Sequence, residues 1–156
     1  MKASLIIGSL LLAGCIETTD SSDDVAELLG LHTQLIQAHL DGDVDSWMTI
    51  EADSFVSANG GQITFPSADQ RRQQRTRYLA NATFDRYRDV RDPIVRVSAD
   101  GTLGWLIAEV EVAGTYTNDD GSSEPIAVVW AWVELYERTA EGWKLVGNVS
   151  NSRPLE

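Results

Sequence analysis

The chain has two histidines, His32 and His39, the side chains whose ordinary titration falls nearest neutral pH. They sit inside a run in which Val25, Leu28, Leu29, Leu35, Ile36 and Leu40 recur with them at three- and four-residue spacings, the pattern of an amphipathic helix. Both therefore point inward. Being seven residues apart on a helix separates them by about 10 Å along the axis, too far for the pair alone to hold one metal ion. Each is either a satisfied core histidine or a group that lines a cavity, bonds a ligand and moves a proton. Proton chemistry would need a carboxylate within reach, Asp43 or Asp53, and a donor, Asn148 or Tyr78. The sequence contains no Ser-His-Asp order with nucleophile-elbow glycines, no phosphate loop and no metal-ligand spacing. No metal and no cofactor is expected.

The elements that would position these groups can be read in order. Asp23 or Asp24 can cap the first helix and Asp41-Gly42 ends it, followed by a short helix from Val44 to Glu51 with Asp43 as its cap and Trp47 and Ile50 buried. Ala58-Asn59-Gly60-Gly61 between two apolar runs is a hairpin signal. Pro66-Ser67 then starts a third helix, Ala68 to Ala80, so polar at its beginning that it packs weakly and suggests a lid. Phe84 to Asp89 and Ile94 to Ala99 read as one strand broken at Arg91-Asp92-Pro93. Thr102 to Tyr116, Pro125 to Arg138 and Trp143 to Ser152 form an antiparallel meander. The fold class is α+β, a curved antiparallel sheet forming a cone, covered on one face by three N-terminal helices.

Matching strand faces by character sets Leu106, Ala108, Val110 and Val112 beside Ala127, Val129, Ala131, Val133 and Leu135 as the helix-facing side, with Val146, Asn148 and Ser150 joining them. The expected cavity is lined by His32, Leu35, His39, Trp47 and Tyr78 from the helices and by Val110, Ala131, Asn148 and Ser150 from the sheet. The other face would then carry Trp105, Trp130, Trp132 and Tyr136 among glutamates. A cluster of large aromatics on a surface is an interface, so a homodimer through that face is expected.

The formal net charge is −12, with 24 acidic against 12 basic residues, which excludes phosphate-backbone recognition; no nucleic acid is expected. Most arginines crowd between Arg71 and Arg96, a local basic zone read as a solvated face. At 156 residues and 43% hydrophobic content the chain supports one domain. Residues 1–14 have the form of a signal peptide: Lys2, an apolar run from Leu5 to Leu12, then Leu12-Ala13-Gly14-Cys15. This resembles the lipobox of bacterial lipoproteins, which implies cleavage before Cys15, acylation of that residue and membrane lipid as a partner. Ile16 rather than Asp after the cysteine implies the outer membrane, with the domain facing the periplasm. Residues 15–23 read as the lipidated cysteine and a flexible acidic tether, and residues 24–156 as the domain.

Several local runs resemble the nuclear transport factor 2-like superfamily, in particular its SnoaL-like bacterial members. They are His39-Leu40-Asp41-Gly42-Asp43, Phe55-Val56-Ser57-Ala58-Asn59-Gly60-Gly61, Asp100-Gly101-Thr102-Leu103 and Glu141-Gly142-Trp143-Lys144-Leu145-Val146. The resemblance implies a conical cavity between helices and sheet, opening near the third helix. It also implies either a binding domain for a small apolar ligand or envelope partner, or an isomerase, lyase or hydrolase with a cavity histidine as base.

Overall fold

The computed structural model describes residues 21–155; the expected signal segment, Cys15 and the start of the tether lie outside them. Helix α1 runs Ser21–Asp41, so Ser21, Ser22 and Asp23, read above as tether, belong to its first turn. Asp24 is no cap: it is buried, ion-paired to Arg138 and accepting a hydrogen bond from Trp143 Nε1 at 3.2 Å. Helix α2, Val44–Ile50, starts on Asp43, whose carboxylate accepts from the Ser46 amide. Helix α3, Ala68–Asn81, opens on a full capping box between Ser67 and Gln70, satisfying amides that would otherwise lack partners.

The strands are β1 Glu51–Asn59, β2 Gln62–Thr64, β3 Ala82–Asp89, β4 Ile94–Val97, β5 Leu103–Thr117, β6 Ser123–Thr139 and β7 Gly142–Pro154. They form one sheet in the order β2-β1-β7-β6-β5-β3, with β4 continuing the β3 edge along β5. The expected break at Pro93 is thus a break in an edge, both halves pairing with β5. The meander is antiparallel, but β1 lies parallel to β7, so the sheet is mixed. That contact needs Gly147, where a Cβ would come 2.6 Å from Val56 Cγ1 and from the Val56 carbonyl oxygen.

One expectation is reversed. The β5–β6 register runs from Leu103 opposite Glu137 to Thr117 opposite Ser123. Directly opposed residues share a face, so Leu106, Ala108, Val110 and Val112 lie beside Glu134, Trp132, Trp130 and Val128. Val129, Ala131, Val133 and Leu135 are on the convex side with Glu111, Glu109, Ile107 and Trp105. The loop decides it: Asn118 closes on Ser122 by a 2.8 Å backbone bond, and Gly121 supplies a φ of +84°, leaving Thr117 and Ser123 paired. A one-residue slip exchanges every side chain on a strand. On β7 a bulge at Val146 turns Trp143 and Leu145 inward instead of Val146, while Asn148 and Ser150 keep their expected concave side.

The core fills the space between α1 and the concave face. Leu28 is wholly buried, and it fits because Gly104 has no side chain: a Cβ there would sit 2.7 Å from Leu28 Cδ1. Burying such a leucine contributes about 2 kcal/mol. Helix α3 is held differently from the weak packing expected. Arg71, 1% exposed, donates to Glu51 and to the carbonyls of Ala52, Asp53 and Pro66, fixing the helix start to β1. Five more arginines of the basic zone are ion-paired: Arg86 and Arg88 with Glu111, Arg91 with Glu109, Arg72 with Asp45 and Arg77 with Asp119.

Candidate functional site: an aromatic cavity between helices and sheet

A cavity of about 620 Å³ opens between the three helices and the concave face, within the range of small-molecule pockets. The helices contribute Leu35 and His39 from α1, Trp47 from α2, and Gln74, Arg75 and Tyr78 from α3. The sheet contributes Glu51, Phe55, Tyr87, Trp130, Trp132 and Glu134, with Leu145, Asn148 and Ser150 from β7. Phe65, 78% exposed, stands at the mouth beside Thr64 and Pro66. The opening lies next to the start of α3, which that helix's buried arginine holds in place.

Of the residues expected to line the cavity, Leu35, His39, Trp47, Tyr78, Asn148 and Ser150 do so. His32 lies behind the wall, Val110 is sealed in the core, and Ala131 is on the convex face opposite Glu109. Of the four interface aromatics only Trp105 is on the convex side. Trp130 and Trp132 line the cavity, and Tyr136 is buried against Glu134.

His32 is locked between two carboxylates. Its Nδ1–H donates to Glu134 Oε1 at 2.9 Å and its Nε2–H to Asp89 Oδ1 at 3.0 Å. Burial alone disfavours the imidazolium, but hydrogen bonding and charge from Glu134 and Asp89 outweigh it and raise the pKa to about 9. Glu134 also accepts from Trp132 Nε1 at 2.9 Å and from Tyr136 OH at 2.7 Å. The Asp89–His32–Glu134 chain ties α1 to β3 and β6. The expected pair was a cavity-facing histidine with Asp43 or Asp53; this one stands behind the wall with other carboxylates, while Asp43 is the α2 cap and Asp53 is exposed.

His39 is the opposite case. Its Nδ1–H donates to the Leu35 carbonyl at 2.7 Å, and its ring lies 4.3 Å from Tyr87 and 4.0 Å from Trp47. Burial lowers its pKa to about 4, the Arg75 charge adding to the effect. It is a neutral imidazole at physiological pH, with Nε2 left as an acceptor. Glu51 forms the second charged cluster, accepting from Arg71 Nε at 2.8 Å, Arg75 Nη2 at 2.6 Å and Trp47 Nε1 at 3.1 Å. Two polar atoms in the cavity wall are buried without a hydrogen-bond partner: Asn148 Oδ1 and Arg75 Nε. Among the described residues no group of three or more His, Cys, Asp or Glu is arranged to hold a metal ion.

A cone of helices on one face of a curved, unclosed sheet is also found in solved structures. A nuclear transport factor 2-like protein from Cytophaga hutchinsonii superposes with a TM-score of 0.66 at 12% identity, over 82% of this chain and 97% of that one. A ketosteroid isomerase-like protein from Erwinia carotovora atroseptica gives 0.62 at 16% identity, over 83% and 96%. A nuclear transport factor 2-like protein with a cystatin-like fold from Novosphingobium aromaticivorans gives 0.58 at 15%, over 83% and 81%. The fold is nuclear transport factor 2-like. No protein-family profile and no curated protein sequence matches the chain, so the likeness is one of architecture.

Within this nuclear transport factor 2-like cone, sequence reasoning missed Glu51, Arg71, Arg75, Tyr87, Asp89 and Glu134. One signal was available. Trp132, Glu134 and Tyr136 alternate on a strand, so they share a face at i and i+2, and a carboxylate flanked by an indole N–H and a phenol can be buried satisfied. The arginine anchors had no such signal, since the Glu51 carboxylate they share lies 20 and 24 residues away and the carbonyls that Arg71 adds are set by the path of β1 and the link into α3.

Proposed function

We propose that this domain is a binding module for a small, mainly apolar molecule, which it holds in the aromatic cavity without chemistry. The observation that carries this is the cavity itself. It is open and walled by Trp47, Trp130, Trp132, Tyr78 and Tyr87. An isomerase reading, suggested by the name of the Erwinia neighbour, needs a base with a pKa near the working pH. Both nitrogens of His32 are committed and its ring is protonated, while His39 has a pKa of about 4. Neither is poised to take a proton near neutrality.

In the same reading the domain is a lipoprotein of the bacterial cell envelope, tethered through acylated Cys15 to the outer membrane on its periplasmic side. The Leu12-Ala13-Gly14-Cys15 run supports this; Cys15→Ser should then move the chain from the detergent to the aqueous phase in a phase partition. Homodimerisation is retained with a new surface. On the convex face Ile94, Ile107, Val133 and Val149 form a row across four strands, and Trp105 lies beside it, 37% exposed. A continuous apolar strip of this kind needs cover.

Native mass spectrometry of the full chain purified from its own membranes tests the binding reading. A retained small-molecule mass is expected, lost when Ser150→Phe fills the cavity. A chain that emerges with no adduct and takes up no apolar fluorophore would end the reading.

A further inference from the structure

The charges of the cavity wall do not cancel locally. Arg71 spends its guanidinium on Glu51 and three carbonyls, and Glu51 is saturated by Arg71, Arg75 and Trp47. Two guanidinium cations therefore share one carboxylate. Arg75 makes only one hydrogen bond among the described residues, from Nη2 to Glu51. Its Nε–H is sealed from the cavity, but its Nη1 has no protein partner among the described residues, its side chain is 19% exposed, and its guanidinium carbon lies 4.4 Å over the Trp47 ring. At the other charged wall residue, Glu134, the oxygens are taken by His32, Trp132 and Tyr136, and His32 is itself shared with Asp89, so that cluster offers no open donor. The cation with room for a further acceptor in the cavity is Arg75.

A partly buried cation with unspent donors in a pocket calls for an acceptor, and an ionised acceptor is bound about twice as strongly as a neutral one. One open guanidinium matches one negative charge. A dianion such as a phosphate monoester would bring an uncompensated second charge beside Glu51 and Glu134. The planar fork of the guanidinium fits the planar carboxylate. From this we infer that the ligand is an amphiphilic monocarboxylate, its carboxylate on the open side of Arg75 and its apolar body against Trp130, Trp132 and Tyr78. This rests on the ligand-binding reading above and names its chemical class.

The neutral apolar fluorophore N-phenyl-1-naphthylamine reports whether the cavity of the full chain is open. Its displacement is then compared for matched pairs, indole-3-acetate against indole-3-acetamide and 4-phenylbutyrate against 4-phenylbutyramide. The carboxylates should displace it at concentrations about tenfold lower than their amides. Arg75→Gln should abolish that preference, acid and amide then displacing the fluorophore at equal concentrations. If Arg75→Gln does not fold by circular dichroism, Arg75→Lys decides: it keeps the charge, loses the fork, and should show a reduced preference of the same sign. Equal displacement by acid and amide in the native chain overturns the carboxylate assignment and leaves the binding reading standing. A preference undiminished in the Arg75 variants overturns the assignment to Arg75. A chain that neither binds the fluorophore nor responds to any of the four compounds overturns both readings.

Discussion

The two buried histidines bend the pH–stability profile in opposite directions. His32 has its pKa raised from 6.5 to about 9. Its contribution is therefore fully present below pH 6.5 and is lost as pH rises through about 9. The gap, at about 1.36 kcal/mol per pH unit, amounts to ~3 kcal/mol. His39 has its pKa lowered from 6.5 to about 4, so its contribution is present above 6.5 and is lost as pH falls through about 4, again by ~3 kcal/mol. Stability should peak near pH 6.5. Above pH 10 the buried tyrosines, with Tyr78 pushed up to about 12, add a further loss. Equilibrium urea unfolding followed by tryptophan fluorescence from pH 4.5 to 9.5 measures this directly. His32→Gln should flatten the alkaline limb and leave the acid limb, and His39→Phe should do the reverse. A wild-type profile that is level or rising between pH 7 and 9, or an alkaline fall that survives intact in His32→Gln, refutes the assignment of His32 as a buried imidazolium.

Arg71→Ala strips a partner from a buried carboxylate and frees three carbonyls; chemical denaturation should show a loss of about 3–5 kcal/mol, only partly recovered by Arg71→Lys. Gly147→Ala drives a methyl group to 2.6 Å from Val56, and a loss of about 1–3 kcal/mol is expected, with amide exchange accelerating in β1 and β2 before the meander. Ile107→Glu, which places a charge in the convex apolar row, should convert a dimer to a monomer in analytical ultracentrifugation without changing the circular dichroism spectrum. A native chain that already sediments as a monomer at high concentration removes the dimer.

What the sequence made legible was local. The Asp43 and Ser67 caps, the Asn59-Gly60-Gly61 turn, the edge broken at Pro93 and the inward stripe of α1 all depend on residues within one or two turns of each other, and each stands where expected save Leu40, the last of the stripe, which is exposed. The pairing of β6 was not legible, because it was judged by matching aliphatic sides. The actual sheet sets small Ala108 and Val110 opposite Trp132 and Trp130, leaving the large rings to wall a cavity. Glu134 went to the expected interface face with the tryptophans because it alternates with the aliphatic side of β6. Its partner, His32, lies 102 residues away in sequence, beyond the reach of any spacing rule. The same holds for Glu51 and Arg71, and for the parallel seam between β1 and β7, whose only hint was a glycine inside a strand.

That seam has a consequence for how the chain comes to be assembled. The strand that closes the sheet between β1 and β6 is the last to be synthesised, so the early hairpin has no neighbour on its inner edge until Gly142–Pro154 arrives. Contacts this distant along a chain form late and slowly. The protein cannot mature piece by piece from its N-terminus. A ribosome-bound or truncated product ending before Gly142 would carry two open strand edges, the kind that other chains pair with, which makes completion of the final strand the step that separates a usable molecule from a sticky one.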